Sequence, residues 1–227
     1  MNLAIVGYGK MGRLVEQLAS EYGFDVTVTL DEFNNLDFGG ITPQNFRGVD
    51  VAIEFSTPAT VVGNIERVAA LGVNLVVGTT GWLDRLEEVR GIVEKTGVGL
   101  VWAPNFSIGV NIFAKLVAQA ARLLAAEPQY GAWAWEIHHS AKKDAPSGTL
   151  LKLVEEMKQA GYGRSIDTAS NRAGAHPGTH EIGFDSAADT ITLRHTARSR
   201  EGFARGALKA AQWVAGKKGL YEFSEVV

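Results

Sequence analysis

Residues Leu3–Gly12 read LAIVGYGKMG. Leu3 to Val6 form the short apolar run expected of a strand buried on both faces, and glycines follow at positions 7, 9 and 12. Met11, Leu14, Val15 and Leu18 then recur at helical spacing. A strand, a glycine turn and a helix in this order open a dinucleotide-binding βαβ unit. One glycine allows the tight turn, one lets a pyrophosphate approach the backbone, and one lets helix meet strand. The spacing alone also serves packing. Its place between a buried run and a helix points instead to a nicotinamide cofactor held along Gly7, Gly9, Lys10, Met11 and Gly12.

Working outward, the next strand (Val26–Leu30) ends in Asp31 and Glu32. An acid at the end of the second strand accepts hydrogen bonds from the adenosine ribose hydroxyls and repels a 2′-phosphate, which favours NADH. Lys10 and Arg13 lie near enough in sequence to the glycine turn to meet the phosphate of NADPH, and the plainer reading of Asp31 is a turn residue. Alternation at Val49, Val51, Ile53 and Phe55 leads to Ser56, Thr57 and Pro58. Val73–Val77 ends in Gly78, Thr79, Thr80 and Gly81, and Val98–Ala103 ends in Pro104, Asn105 and Phe106. Strand ends of an open parallel sheet are where such folds bind ligands.

These runs predict an α/β chain with a Rossmann-type dinucleotide-binding domain over residues 1–105. An amphipathic helix at Phe203–Gly216 is expected to return to it, so that 203–227 complete it. Residues 106–202 are expected to form an α+β domain with a mixed sheet. Its long helix is marked by Ile112, Leu116 and Leu123, and its strands fall at Ala132–His138, His180–Asp185 and Thr190–Thr196.

A second stretch carries the chemistry. Glu136–Leu150 reads EIHHSAKKDAPSGTL. Ser147 is a good N-cap, and Leu150, Leu153, Val154 and Met157 repeat at helical spacing until Gly161. The N–H groups of Gly148 and Thr149 then point outward with the positive end of the helix dipole behind them, which suits a carboxylate. His138 and His139 at a strand end, with Lys142 and Lys143 following, place an imidazole and ammonium groups beside that cradle. An imidazole can carry a proton at neutral pH, so the segment reads as a site that binds an acidic small molecule and protonates it. A metal site is not expected, because no cysteine and no His-x-x-x-His spacing supports one. His176 lies in a Gly- and Pro-containing loop, whereas His180 and His195 fall in strands, where a structural histidine is the ordinary reading.

Composition excludes other classes. The 22 basic and 25 acidic residues form no basic block, so neither nucleic acid nor a membrane surface is an expected partner. There is no cysteine, no charged leader before the first apolar run, and no uninterrupted apolar run of spanning length. A soluble cytoplasmic protein is expected.

The second stretch also resembles the signature of the dihydrodipicolinate reductase family, E-x-H-H-x-x-K-x-D-A-P-S-G-T. Every fixed position is present, from Glu136 through His138, His139, Lys142, Asp144, Ala145, Pro146, Ser147 and Gly148 to Thr149. FSTP (55–58), GTTG (78–81) and APNFSIGVN (103–111) are similar to three further motifs of that family. The resemblance implies NAD(P)H-dependent reduction of 4-hydroxy-tetrahydrodipicolinate, with His138 as general acid and Lys142 as the orienting cation. It implies that His139, Gly148, Thr149 and Thr80 hold a cyclic dicarboxylate. Phe55, Ser56, Gly78, Thr80, Pro104, Asn105 and Phe106 then border the cofactor, with Asp31 at its ribose. It further implies a homotetramer, and a supporting place for Arg172, Gly174 and His180. Two alternatives remain open: another two-domain NAD-dependent reductase such as an aspartate dehydrogenase, and a non-catalytic NADH sensor.

Overall fold

The computed structural model describes residues 1–227. The chain divides into two units, Met1–Ile108 with Glu201–Val227, and Gly109–Arg200. These boundaries fall at Ile108 and Glu201 rather than at the expected 105 and 203.

The first unit holds a six-stranded parallel sheet in the order β10-β5-β4-β3-β1-β2. Its strands are β1 (Asn2–Val6), β2 (Asp25–Leu30), β3 (Val51–Glu54), β4 (Asn74–Val77), β5 (Gly99–Trp102) and β10 (Gly219–Glu222). The central strands are apolar except at their ends, where Asn2, Glu54 and Asn74 fall, because both faces are covered. On one face α1 (Lys10–Ala19) and α6 (Glu201–Val214) enclose Leu3, Ile5, Val15, Val76, Leu208 and Val214. On the other, α2 (Val61–Ala70) and α3 (Leu86–Thr96) enclose Ala4, Val6, Ile65, Leu75 and Val89.

The second unit is a mixed sheet in the order β7-β6-β8-β9. It comprises β6 (Gly131–His138), β7 (Ile166–Arg172), β8 (Thr179–Asp185) and β9 (Thr190–Thr196). β7 runs parallel to β6, while β8 and β9 are antiparallel to their neighbours. The helices α4 (Ile108–Ala125) and α5 (Gly148–Gln159) share one core with it, built from Val117, Leu124, Leu150, Leu153, Met157 and Phe184.

One expectation needs correction. The residues that mark α4 in the sequence, Ile112, Leu116 and Leu123, are exposed at 46%, 55% and 65%, and Phe113, Val117, Ala121 and Leu124 face the core instead. The helix is apolar over more than one face, so periodicity fixed its existence but not its phase. It also has the length and average apolarity of a membrane-crossing helix, although it is not an uninterrupted apolar run. Asn111, Lys115, Gln119 and Arg122 interrupt it, and its core-facing row is packed within this unit.

Candidate active site

Each unit presents one constellation at its strand ends. In the first, the turn after β1 is shaped by Gly7, whose φ is +96°. A Cβ there would strike the Phe55 carbonyl, so only glycine lets β1 and β3 end side by side. The N–H groups of Gly7 and Tyr8 both reach Leu30 O at 2.8 Å. The first helical hydrogen bond of α1 is Arg13 N to Gly9 O at 3.0 Å, and Gly9 offers no side-chain cap. The N–H groups of the first turn, Lys10 to Gly12, are therefore left for an outside acceptor. Nothing stands within 4 Å of where a side chain on Gly9 would project. This bare turn at a helix start fits a pyrophosphate.

A concavity beside it is lined by Gly9, Lys10, Met11, Phe55, Ser56, Pro58, Gly78, Thr79 and Thr80. Seven of the positions named from sequence thus meet in one pocket. Asp31, Pro104, Asn105 and Phe106 do not line it. Asp31 ends β2 with its Oδ1 accepting from the N–H groups of Phe33 (2.9 Å) and Asn34 (3.1 Å), which fixes the carboxylate in its loop. Pro104 is exposed, and Asn105 Oδ1 accepts from Ser107 N at 2.9 Å. Phe106 departs from its expected role: its ring is 2% exposed and packs on Phe223 at a centroid distance of 4.8 Å. That side chain belongs to the core and is not offered to a ligand.

In the second unit the parts of EIHHSAKKDAPSGT gather around Glu136, which enters the sequence reading only as a fixed position of the motif. It is fully buried near the end of β6. Its Oε1 accepts from Ser147 N (2.8 Å), Ser170 Oγ (2.9 Å) and Arg172 Nη2 (2.8 Å), while Oε2 accepts from the Ser147 hydroxyl. Burial pushes its proton affinity up, but the Ser147 hydroxyl, Arg172, the Ser147 N–H and Ser170 outweigh it, and the pKa is held down at about 2. Glu136 is a buried anion at neutral pH.

Two imidazoles lean on this anion. His138 Nδ1 and His180 Nε2 each stand 3.4 Å from Glu136 Oε2, and the two rings meet edge to face at 5.1 Å. Burial lowers the pKa of His138, with Glu136 opposing and Lys142 and Arg172 adding to the fall. His180 is driven to about 4, by burial first and by His138 second. His138 Nδ1 has no hydrogen-bond partner with good geometry. On its other edge the ring abuts Gly178, where a Cβ would come within 2.9 Å of Nε2. His180, read from sequence as an ordinary strand histidine or a support, lies inside the cluster. His195 is the cross-strand neighbour of His180 on β9 and stands beside the Phe113 ring at 5.9 Å.

Ser147 caps α5 by accepting from Leu150 N at 3.2 Å. Gly148 is exposed and Thr149 half-buried at the helix start, beside the loop that carries Lys142. Lys142 Nζ pairs with Asp144 Oδ1 at 2.8 Å, and His139 is half-buried directly after β6. Arg172 ties the loop down by donating to the Asp144 carbonyl. Glu136, His138 and His180 bring possible ligand atoms within 4.8 Å of one another. Both carboxylate oxygens are already engaged, and the Arg172 guanidinium opposes a divalent ion electrostatically. The cluster holds an imidazole close to the Ser147-capped start of α5.

Residues 1–106 match the family model described as dihydrodipicolinate reductase, N-terminus, and residues 109–227 match its C-terminus. The chain is 34% identical to the 4-hydroxy-tetrahydrodipicolinate reductase of Christiangramia forsetii over 100% of this chain and 98% of that protein. It is 35% identical to that of Archaeoglobus fulgidus over 99% of each. Its fold matches the dipicolinate-bound dihydrodipicolinate reductase of Paenisporosarcina sp. TG-14 with a TM-score of 0.84 at 22% identity, covering 100% and 99% of the two chains. With both halves of the family model matched and the glycine turn and the histidine cluster in place, the chain belongs to the dihydrodipicolinate reductase family.

Proposed function

We propose that the chain reduces 4-hydroxy-tetrahydrodipicolinate to tetrahydrodipicolinate, in diaminopimelate and lysine biosynthesis, using NADH in preference to NADPH. The observation that carries this reading is the Glu136 cluster, in which one buried carboxylate joins His138 to the N-terminus of α5. A reduced nicotinamide bound at the glycine turn supplies the hydride. The substrate gains that hydride and one proton and loses one water. His138 donates the proton to the ring as negative charge builds there, with Glu136 fixing the imidazole's orientation. Lys142 leaves Asp144 to pair with a substrate carboxylate, which Gly148, Thr149, His139 and Thr80 also hold. A doubly anionic substrate raises the proton affinity that burial has lowered at His138, so binding itself charges the acid.

Asp31, followed by Glu32 rather than a basic residue, supports the NADH preference. The outer face of the mixed sheet carries the partly exposed Trp133 and Trp135, with Arg194, around a shallow concavity. Exposed aromatic surface of this kind supports assembly through the sheet, which we propose forms a homotetramer in a reducing cytoplasm.

The test is loss of NADH absorbance with enzymatically generated 4-hydroxy-tetrahydrodipicolinate, with pyridine-2,6-dicarboxylate as competitor. Turnover that this dicarboxylate inhibits, with kcat/KM higher for NADH than for NADPH, is expected. NADH binding without turnover would leave a sensor. Turnover with oxaloacetate and ammonia instead would mark an aspartate dehydrogenase.

A further inference from the structure

Glu54 closes β3 in the first unit and is 1% exposed. Its Oε1 accepts from Ser56 N at 3.2 Å, from the Ser56 hydroxyl and from Asn64 Nδ2 at 3.1 Å. Asn64, also 1% exposed, donates to Ser56 Oγ at 3.1 Å and accepts from Asn35 Nδ2 at 3.2 Å. Glu54 Oε2 and the Thr79 hydroxyl are buried and have no partner with full hydrogen-bond geometry. Thr79 nonetheless lies close enough to act on the proton affinity of Glu54.

These contacts span the cofactor pocket. Ser56 and Thr79 line it, and Asn35 sits in the loop behind Asp31. The groups that touch the carboxyl are all neutral, so ionising Glu54 costs desolvation with no cation to offset it. Oε2 and the Thr79 hydroxyl can satisfy each other in either state, the carboxyl donating when protonated and accepting when ionised. Burial pushes the pKa of Glu54 up, in the same sense.

We propose that Glu54 is a positioning residue for the cofactor: its carboxyl clamps the Ser56 turn to the Thr79 turn and, through Asn64, ties both to the loop behind Asp31. The inference rests on the reading that this unit holds a reduced nicotinamide dinucleotide.

The test measures the NADH dissociation constant of the full chain by nicotinamide fluorescence, without substrate, alongside melting temperature. Glu54→Gln keeps an acceptor and a donor in the same place, and its dissociation constant is expected to stay within threefold of the native value. Glu54→Leu keeps the bulk and loses both, and is expected to weaken NADH at least tenfold while inhibition by pyridine-2,6-dicarboxylate is unchanged. Should Glu54→Leu fail to fold, Thr79→Val is expected to weaken NADH at least threefold. A folded Glu54→Leu, or Thr79→Val, that binds NADH as the native chain does overturns the assignment. So does Glu54→Gln binding as weakly as Glu54→Leu. A native chain that binds no NADH removes the underlying reading and the inference with it.

Discussion

Two glutamates at strand ends, Glu136 in the second unit and Glu54 in the first, are equally buried, yet their proton affinities are shifted in opposite directions. Glu136 is surrounded by a guanidinium, two hydroxyls and an N–H, and its pKa is held at about 2. Glu54 meets a hydroxyl, an amide and an N–H but no cation, and burial pushes its pKa up. Depth alone therefore does not set the charge of a carboxyl; the donors around it do. The difference suits the two tasks. An anion beside His138 orients an imidazole and favours its protonated form. A carboxyl that meets only neutral donors and is pushed toward its protonated form would hold two turns beside the glycine turn with less repulsion of a pyrophosphate.

Removing one partner from each network is the strongest way to test this contrast. Glu136→Ala leaves the half-buried Arg172 guanidinium with carbonyl partners but no counter-charge, and loss of one member of a buried pair costs about 3–5 kcal/mol. The melting temperature should fall steeply. Glu136→Gln keeps the shape but removes the charge that raises the pKa of His138. The falling limb of kcat/KM with pH should therefore move to lower pH, and a limb that stays in place would separate Glu136 from His138.

Acid should also act mainly on the second unit. Glu136 has its folded pKa depressed from 4.5 to about 2, so its contribution is present above pH 4.5 and is lost as pH falls toward 2. His180, depressed from 6.5 to about 4, is kept neutral in the fold. Its contribution is complete above 6.5 and is lost as pH falls through 4. The linked free energy for His180 is on the order of 3 kcal/mol. A decline in melting temperature that begins near pH 6.5 is expected, and His180→Gln should remove the part between 6.5 and 4. An unchanged decline in that variant would assign the effect elsewhere.

Much of this was legible before any coordinates. The β1, glycine-turn and α1 sequence and the strand Thr190–Thr196 carry strong periodicity, and the cap at Ser147 lies where its residue type places it. β7 was missed because Ile166–Arg172 reads IDTASNR, a polar edge strand with little hydrophobic signal. β10, also at a sheet edge, is only four residues long. The site's charges were illegible for a different reason. Glu136 acquires its donors Ser170 and Arg172 from 34 and 36 residues away, and Glu54 acquires Asn64 from the following helix. A carboxylate's partners are a property of the sheet register, which local sequence does not carry. The side chain of Phe106 shows the converse, since a motif residue can be retained for packing against Phe223.

The most direct measurement compares steady-state kinetics of His138→Gln and Thr149→Val with NADH and 4-hydroxy-tetrahydrodipicolinate. Loss of a proton donor costs about 10²–10⁴-fold in rate. His138→Gln is expected to lose kcat on that scale with little change in KM, and Thr149→Val to raise KM for the dicarboxylate with kcat nearly retained. A His138→Gln variant that turns over at the native rate, or one whose defect lies wholly in KM, would contradict the assignment of the imidazole beside Glu136 as the proton donor.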